Sequence, residues 1–279
     1  MGLLFSTIEK ELTQQDEEIR LLAVIKLLHL QKSFVDDPEL YPQLRSLLRN
    51  YFYRSPDEMC SLVLNARLEL HNQFGKYHVN DEGLRTKCLG ALRQQVSPRA
   101  ELFQSLLQLA DTGLTEDLFL VGSYLKNQDP VLKCGALEVF LELGIAGDLI
   151  HVLPVIADSK LRVNKLAQAI VQRFEVDEVL AVLKNMATSK AVVSRIAAIY
   201  ALSQISAPDD CFELLYQLTH DPAPEVKIRA TQALAYHPNQ KSAARLAELQ
   251  NDLSIEVCES AHRALQAQKQ GITKAGFAL

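Results

Sequence analysis

Val226-Lys227-Ile228-Arg229-Ala230-Thr231-Gln232-Ala233-Leu234 is the stretch that decides the fold. Val226, Ala230, Ala233 and Leu234 stand at offsets zero, four, seven and eight, one stripe of a 3.6-residue helix. The small residue at the fourth offset lets a neighbouring helix approach closely. Working outward, the same spacing returns at Val257, Ala261, Ala264 and Leu265, at Val163, Ala167, Ile170 and Val171, and at Leu132, Ala136, Val139 and Phe140. Val193 followed by Ala197 supplies a fifth copy, with a register that can shift by one. Anchors at 132, 163, 193, 226 and 257 are 31, 30, 33 and 31 residues apart, room for two helices and two short turns.

Between the anchored helices the sequence predicts a second set near 148–157, 177–187, 208–219 and 240–250, bounded by Gly144, Gly147, Pro208, Pro222 and Pro238. Each pair is a hairpin that cannot bury its apolar stripe alone, so stacking must supply the core. The expectation is an all-α, right-handed α-solenoid of roughly seven helix pairs.

Ala136-Leu137, Leu143-Gly144, Gly147-Asp148, Asp158, Arg162-Val163 and Ala167 resemble the HEAT repeat, in the short form of the phycobilisome-lyase-like proteins. Asp221-Pro222, Val226-Lys227 and Ala230 repeat the pattern. The resemblance covers about 115–268; it implies architecture and says little about function.

Upstream the pattern thins. Asp16, Ile19-Arg20 and Ala23 look like one repeat start, and Asp81, Leu84-Arg85, Cys88, Ala91 and Leu92 like another, with helices near 38–52 and 56–73 between them. Residues 1–112 therefore read as degenerate helical repeats continuous with the regular repeats of 113–268, with a possible boundary near Gly113 and a flexible tail over 269–279. The segment 17–31 is apolar almost all round and is expected to be buried between layers.

Composition narrows the function classes. With 29 basic and 34 acidic side chains the formal charge is -5, and a broad phosphate-binding face is disfavoured. Five dispersed cysteines, at 60, 88, 134, 211 and 258, form no CxxC pair and suit a reducing, cytoplasmic setting. No apolar run approaches the ~20 residues of a membrane helix. Met1-Gly2-Leu3-Leu4-Phe5-Ser6 formally matches the N-myristoylation pattern, but Leu3, Leu4 and Phe5 read as the start of an amphipathic first helix.

Candidate sites are few. Asp16 and Arg20, Asp81 and Arg85, Asp129 and Lys133, and Asp158 and Arg162 are each four apart. They read as structural turn pairs in which the Asp caps a helix and the base pairs with it or with the next repeat's turn. His71, His78 and Asp81 lack metal-ligand spacing, and the two histidines read as solvated loop residues. Deoxyhypusine hydroxylases of HEAT type carry His-Glu pairs for iron, and this chain has no such dipeptide. Tyr51-Phe52-Tyr53-Arg54 with Arg45 and Arg49 upstream is the one basic-aromatic cluster, open to base stacking, an acidic partner or core filling. No nucleophile or phosphate-loop motif is present, and neither a cofactor nor a metal is expected.

The remaining candidate is the face at offsets two, five, six and nine of the anchored helices. It carries Leu137, Glu138, Leu141, Lys165, Gln168, Gln172, Arg195, Ala198, Ile199 and Leu202, then Ile228, Thr231, Gln232, Glu259, His262, Arg263 and Gln266. Apolar centres with polar flanks suit a peptide or helix partner, whereas tight curvature would make Leu137, Leu141, Ile199 and Leu202 ordinary core. The reading is a non-catalytic protein-protein interaction scaffold or adaptor, its partner and oligomeric state left open. The alternatives are a chromophore-handling subunit resembling bilin lyases, implied by the repeat style alone, and, behind it, a nucleic-acid binder.

Overall fold

The computed structural model describes residues 40–270 apart from 55–56, 76, 95–96 and 204–207, together with scattered positions between 7 and 26. The expectations for Met1–Ser6, Arg20, most of 17–31 and the tail from 271 lie outside the described residues. Of the 17–31 segment, Ala23 is buried but Leu22 is 54% exposed, so burial all round does not hold there.

Every regular element among the described residues is helical. In the first compact unit, residues 1–144 and 158–173, the helices are α1 (Leu40–Arg54), α2 (Cys60–Phe74), α3 (Glu82–Gln94), α4 (Arg99–Thr112), the single turn α5 (Leu118–Val121) and α6 (Pro130–Leu143). A 3-10 turn at Gly122–Lys126 follows α5. The second unit, residues 145–157 and 174–279, opens with α7 (Leu149–Val152), a single turn flanked by 3-10 turns, and α8 (Leu161–Val171) returns to the first. Then come α9 (Val176–Ala187), α10 (Val192–Leu202), α11 (Pro208–Leu218), α12 (Pro224–Leu234), α13 (Gln240–Leu249) and α14 (Ile255–Lys269). The expected junction near Gly113 falls inside the first unit, where α4 packs against α6.

α6 is the spine of the first unit. Asp129 caps it by accepting from the Val131 N–H at 2.9 Å, and Pro130 occupies its first turn. Leu132 and every residue from Cys134 to Leu143 are buried, because α4 covers one side and α8 the other. Full burial of a side chain such as Phe140 contributes about 1.5–3 kcal/mol. The approach to α4 is tight at Gly135, where an added Cβ would lie 2.9 Å from Leu106 and 3.0 Å from Phe103.

Two features correct the sequence reading of the repeats. First, Val193 is 78% exposed, and the anchor of α10 is Ser194, with the buried Ala198, Ala201 and Leu202 at offsets four, seven and eight. Second, the repeat extends back into α4, where Leu102, Leu106, Leu109 and Ala110 occupy the same offsets and are buried. The anchors become 102, 132, 163, 194, 226 and 257, with steps of 30, 31, 31, 32 and 31. α3, expected to be an anchored helix at Leu84, is instead the first helix of the hairpin α3–α4. A recurring cap marks the start of three hairpins: the N–H groups of Leu114, Ile145 and Glu175 donate to the side chains of Asp117, Asp148 and Glu178.

In the second unit α10 packs on α12 and α12 on α14, with α9, α11 and α13 as their hairpin partners. Both units are stacked helical hairpins, the α-solenoid arrangement that the 31-residue period requires. The exception is α1–α2, which packs on α8 and reaches α6 through side chains instead of continuing the stack.

Candidate interaction face

The turn pairs form a ladder between successive repeats. Lys133 donates to Asp158 at 2.6 Å, Arg195 grips Asp221 with two bonds of 2.6 and 2.9 Å, and Lys227 donates to Asp252 at 2.6 Å. Each acid also accepts the backbone N–H two residues on, at Lys160, Ala223 and Ser254. Asp81 caps Leu84, and Asp16 accepts from Ile19 at 3.4 Å. Among the described residues, Arg85, Lys133 and Arg162 turn to other partners than the aspartate four residues before them. Arg85 binds Asp117 and Glu116, Asp129 takes Arg99, and Arg162 turns back to the Phe52 carbonyl and Asp57. Arg85 outweighs the effect of burial and holds the Asp117 carboxyl below its ordinary range.

The face at offsets five and six differs between the two units. In the first unit it is covered. Leu137, Leu141, Glu138 and Glu142 of α6 are all buried beneath α1 and α2. Arg67 of α2 makes a two-pronged bond to Glu138, 2.9 and 2.6 Å, and Tyr53 donates to the same carboxylate at 2.8 Å. Arg45 of α1 reaches Glu142 at 2.8 Å and Asp111 at 2.6 Å, and Arg49 adds a second fork to Asp111 at 3.0 and 3.1 Å. Three guanidinium groups meet three carboxylates, so the cluster is charge-balanced, as buried ions require.

Burial alone would raise the Glu138 and Glu142 carboxyls, but the guanidinium groups outweigh it. Arg67 holds Glu138 below the usual carboxylate range, and His71 with Arg45 holds Glu142 at about 2. Burial also pushes the Tyr41 hydroxyl up to about 12 and raises that of Tyr53. His71 is not a solvated loop residue: it ends α2 with Nδ1 3.7 Å from Glu142, too far for a hydrogen bond. The space among Tyr41, Arg45, Arg67, His71 and Glu142 is about 10 Å3, room for one water and no substrate. Arg45 and Arg49 are thus engaged with the carboxylates of Glu142 and Asp111. Lys165 and Gln168, on α8 beneath the same hairpin, are half-buried.

In the second unit only the offset-six side of this face is open along all three helices. Ile199, Ala198, Leu202 and Thr231 are buried core, and Arg195 is committed to Asp221. Ile228 packs against Leu249, Val257 and Ala261. The offset-six row, which in α6 is Glu138, continues as Tyr200, Gln232 and Arg263, half-exposed or exposed. Arg229 lies over the Tyr200 ring at 5.8 Å and donates to Gln232 at 3.2 Å, and His262 lies beside Gln266 on α14. Of the unit's four arginines, Arg195 and Arg245 pair with Asp221 and Glu248. Arg229 and Arg263 make no carboxylate pair among the described residues.

None of the five cysteines forms a disulfide among the described residues, and only Cys258 is partly exposed. Among the described residues no helix is long and apolar enough to cross a membrane, and no group of His, Cys, Asp and Glu is arranged to hold a metal.

These contacts define a helical-repeat protein. No family model and no curated protein matches the chain. Solved structures similar to it include human deoxyhypusine hydroxylase in complex with glycerol, 16% identical over 95% of this chain and 96% of that one, TM-score 0.35. An engineered protein is 17% identical over 97% and 98%, TM-score 0.31. A designed armadillo repeat protein in complex with the peptide (KR)4 is 15% identical over 94% and 98%, TM-score 0.29.

Proposed function

We propose that the chain is a non-catalytic scaffold that binds a protein or peptide partner on the face formed by α10, α12 and α14. One observation carries the reading. Tyr200, Arg229, Gln232, His262 and Arg263 lie on helices packed side by side and are at least partly open, with two arginines that have no carboxylate pair among the described residues. Aromatic and arginine side chains on a rigid surface are the groups that dominate binding energy at protein interfaces. The chain supplies its own precedent, because the corresponding face of α6 is already occupied by helices. Resemblance to short HEAT-like repeats and the free cysteines support the same reading in a reducing, cytoplasmic setting.

The test is a cross-linked pull-down from native lysate with wild type and the Arg229→Glu/Arg263→Glu variant. A protein captured by wild type and lost from the folded variant supports this face. Equal capture by both removes the site from α12 and α14.

A further inference from the structure

The covered face of the first unit shows how a helix sits on such a surface. α6 offers Glu138 and Glu142, one turn apart, and the covering helices answer with Arg45 of α1 and Arg67 of α2. On α1 the cations Arg45 and Arg49 are themselves one turn apart and both reach Asp111. Recognition is therefore by helices carrying charged groups along one stripe, set between apolar contacts such as those of the buried Leu44, Leu48 and Phe52.

The open face of the second unit carries the opposite sign. Arg263 stands at the offset that Glu138 holds in α6, and Arg229 of the preceding helix is held over Tyr200 with its charge unpaired. The other charged groups nearby are His262 and Glu259 on α14, while Glu225 and Glu256 sit in the first turns, where the helix dipole favours them. Lys227 is committed to Asp252 and Arg195 to Asp221. Arg229 donates to Gln232 and Arg263 to the Glu259 carbonyl, but neither planar guanidinium has a carboxylate among the described residues, the protein group that it matches best.

Resting on the scaffold reading above, we infer that the partner docks on α10, α12 and α14 as an amphipathic helix with Asp or Glu along its contact stripe. It would be the charge-inverted counterpart of α1–α2. A nucleic acid would also supply anions, but the chain's net charge of -5 opposes a polyanion, whereas a short acidic helix needs only local complementarity.

The experiment is selection from a phage-displayed library of amphipathic helices against the full chain. Winners are then synthesised and titrated by fluorescence anisotropy. The expected winners carry Asp or Glu at i, i+4 spacing and bind the Arg229→Glu/Arg263→Glu variant at least tenfold more weakly. Changing the winner's acids to Lys restores binding to that variant. Circular dichroism and thermal melting of the variant establish that it is folded. Helices lost from the variant but not acidic overturn the inference and leave the scaffold face standing. Helices that bind both proteins equally, or no winners at all, overturn both. A single-stranded oligonucleotide that displaces the winner and is itself lost on the double substitution makes the face a nucleic-acid site and also overturns the inference.

Discussion

One repeat surface occurs twice in this chain, once sealed and once open, and the contrast separates what stacking requires from what it leaves available. In the first unit, Glu138 and Glu142 on a helix otherwise almost wholly apolar would be costly to bury alone. They are tolerated because α1 and α2 deliver guanidinium groups to them. In the second unit Gln232 and Arg263 stand at the offset of Glu138, and nothing in the core demands a partner for them. The buried cluster is therefore an obligate internal interface, whereas Arg229 and Arg263 are held at the surface with unused bonding capacity.

The largest effect expected from breaking this contrast is at Glu138. Glu138→Ala leaves Arg67 buried without its counter-ion, and removing one partner of such a pair costs about 3–5 kcal/mol. Urea denaturation should show that loss, with amide exchange rising first in α1 and α2. Because both charges are removed, Arg67→Met/Glu138→Leu should recover most of it. If Glu138→Ala melts like wild type, the cluster does not hold the hairpin. On the open face, by contrast, Arg263→Ala should leave the midpoint within about 0.5 kcal/mol.

Acid gives the next largest effect. Glu142 is held at about 2 in the folded chain against an ordinary 4.5, so between those values the unfolded chain binds more protons. Its contribution to stability is fully present above the ordinary value and is lost as pH falls through about 2. The shift corresponds to about 3 kcal/mol, shared with the groups to which it is coupled. Denaturation midpoints between pH 5 and 2 should therefore fall, with α1, α2 and α6 exchanging before α12 and α14. Glu142→Gln should flatten that slope, and an unchanged slope would dissociate Glu142 from acid unfolding.

These particular residues also show how far the sequence could be read. Offsets of four, seven and eight located α6, α8, α12 and α14 because that stripe is a local property of the chain. They failed at α4, where Leu106 stands in place of a small residue, although burial follows the same offsets. The sealed face was illegible for a different reason. Arg45 and Glu142 are 97 residues apart, and no local pattern says that a hairpin folds back over α6. Glu138 therefore read as a surface group, as a glutamate on an amphipathic helix ordinarily would. Tyr53, Arg45 and Arg49 carried a signal of their own, a basic-aromatic run, whose acidic counterpart lay in a distant segment.

A smaller expected effect concerns the packing that fixes the stack beneath the sealed face. Gly135→Ala places a methyl 2.9 Å from Leu106 and 3.0 Å from Phe103. Both contacts are to side-chain atoms, so they can yield by repacking, and a loss of about 1–3 kcal/mol is expected. Thermal melting of the variant measures it, and a stabilised protein would mean that the α4–α6 contact has room for a methyl group.

The smallest effect tests the register itself. Val193 carries the apolar residue that the sequence pattern favours, yet it is 78% exposed, and Ser194 occupies the anchor. Three contacts agree on this. Arg195 follows Ser194 as Lys227 follows Val226 and Lys133 follows Leu132, and all three reach the aspartate of the next turn. Val193→Ser should therefore change stability by less than about 0.5 kcal/mol. Val226→Ser, at a fully buried anchor, should cost several times more through lost burial and an unpaired hydroxyl. Comparable losses in the two variants, read by denaturant midpoint, would return the anchor to Val193. That shift would rotate Arg195 and Tyr200 together, and with Tyr200 the ring that holds Arg229 on the open face.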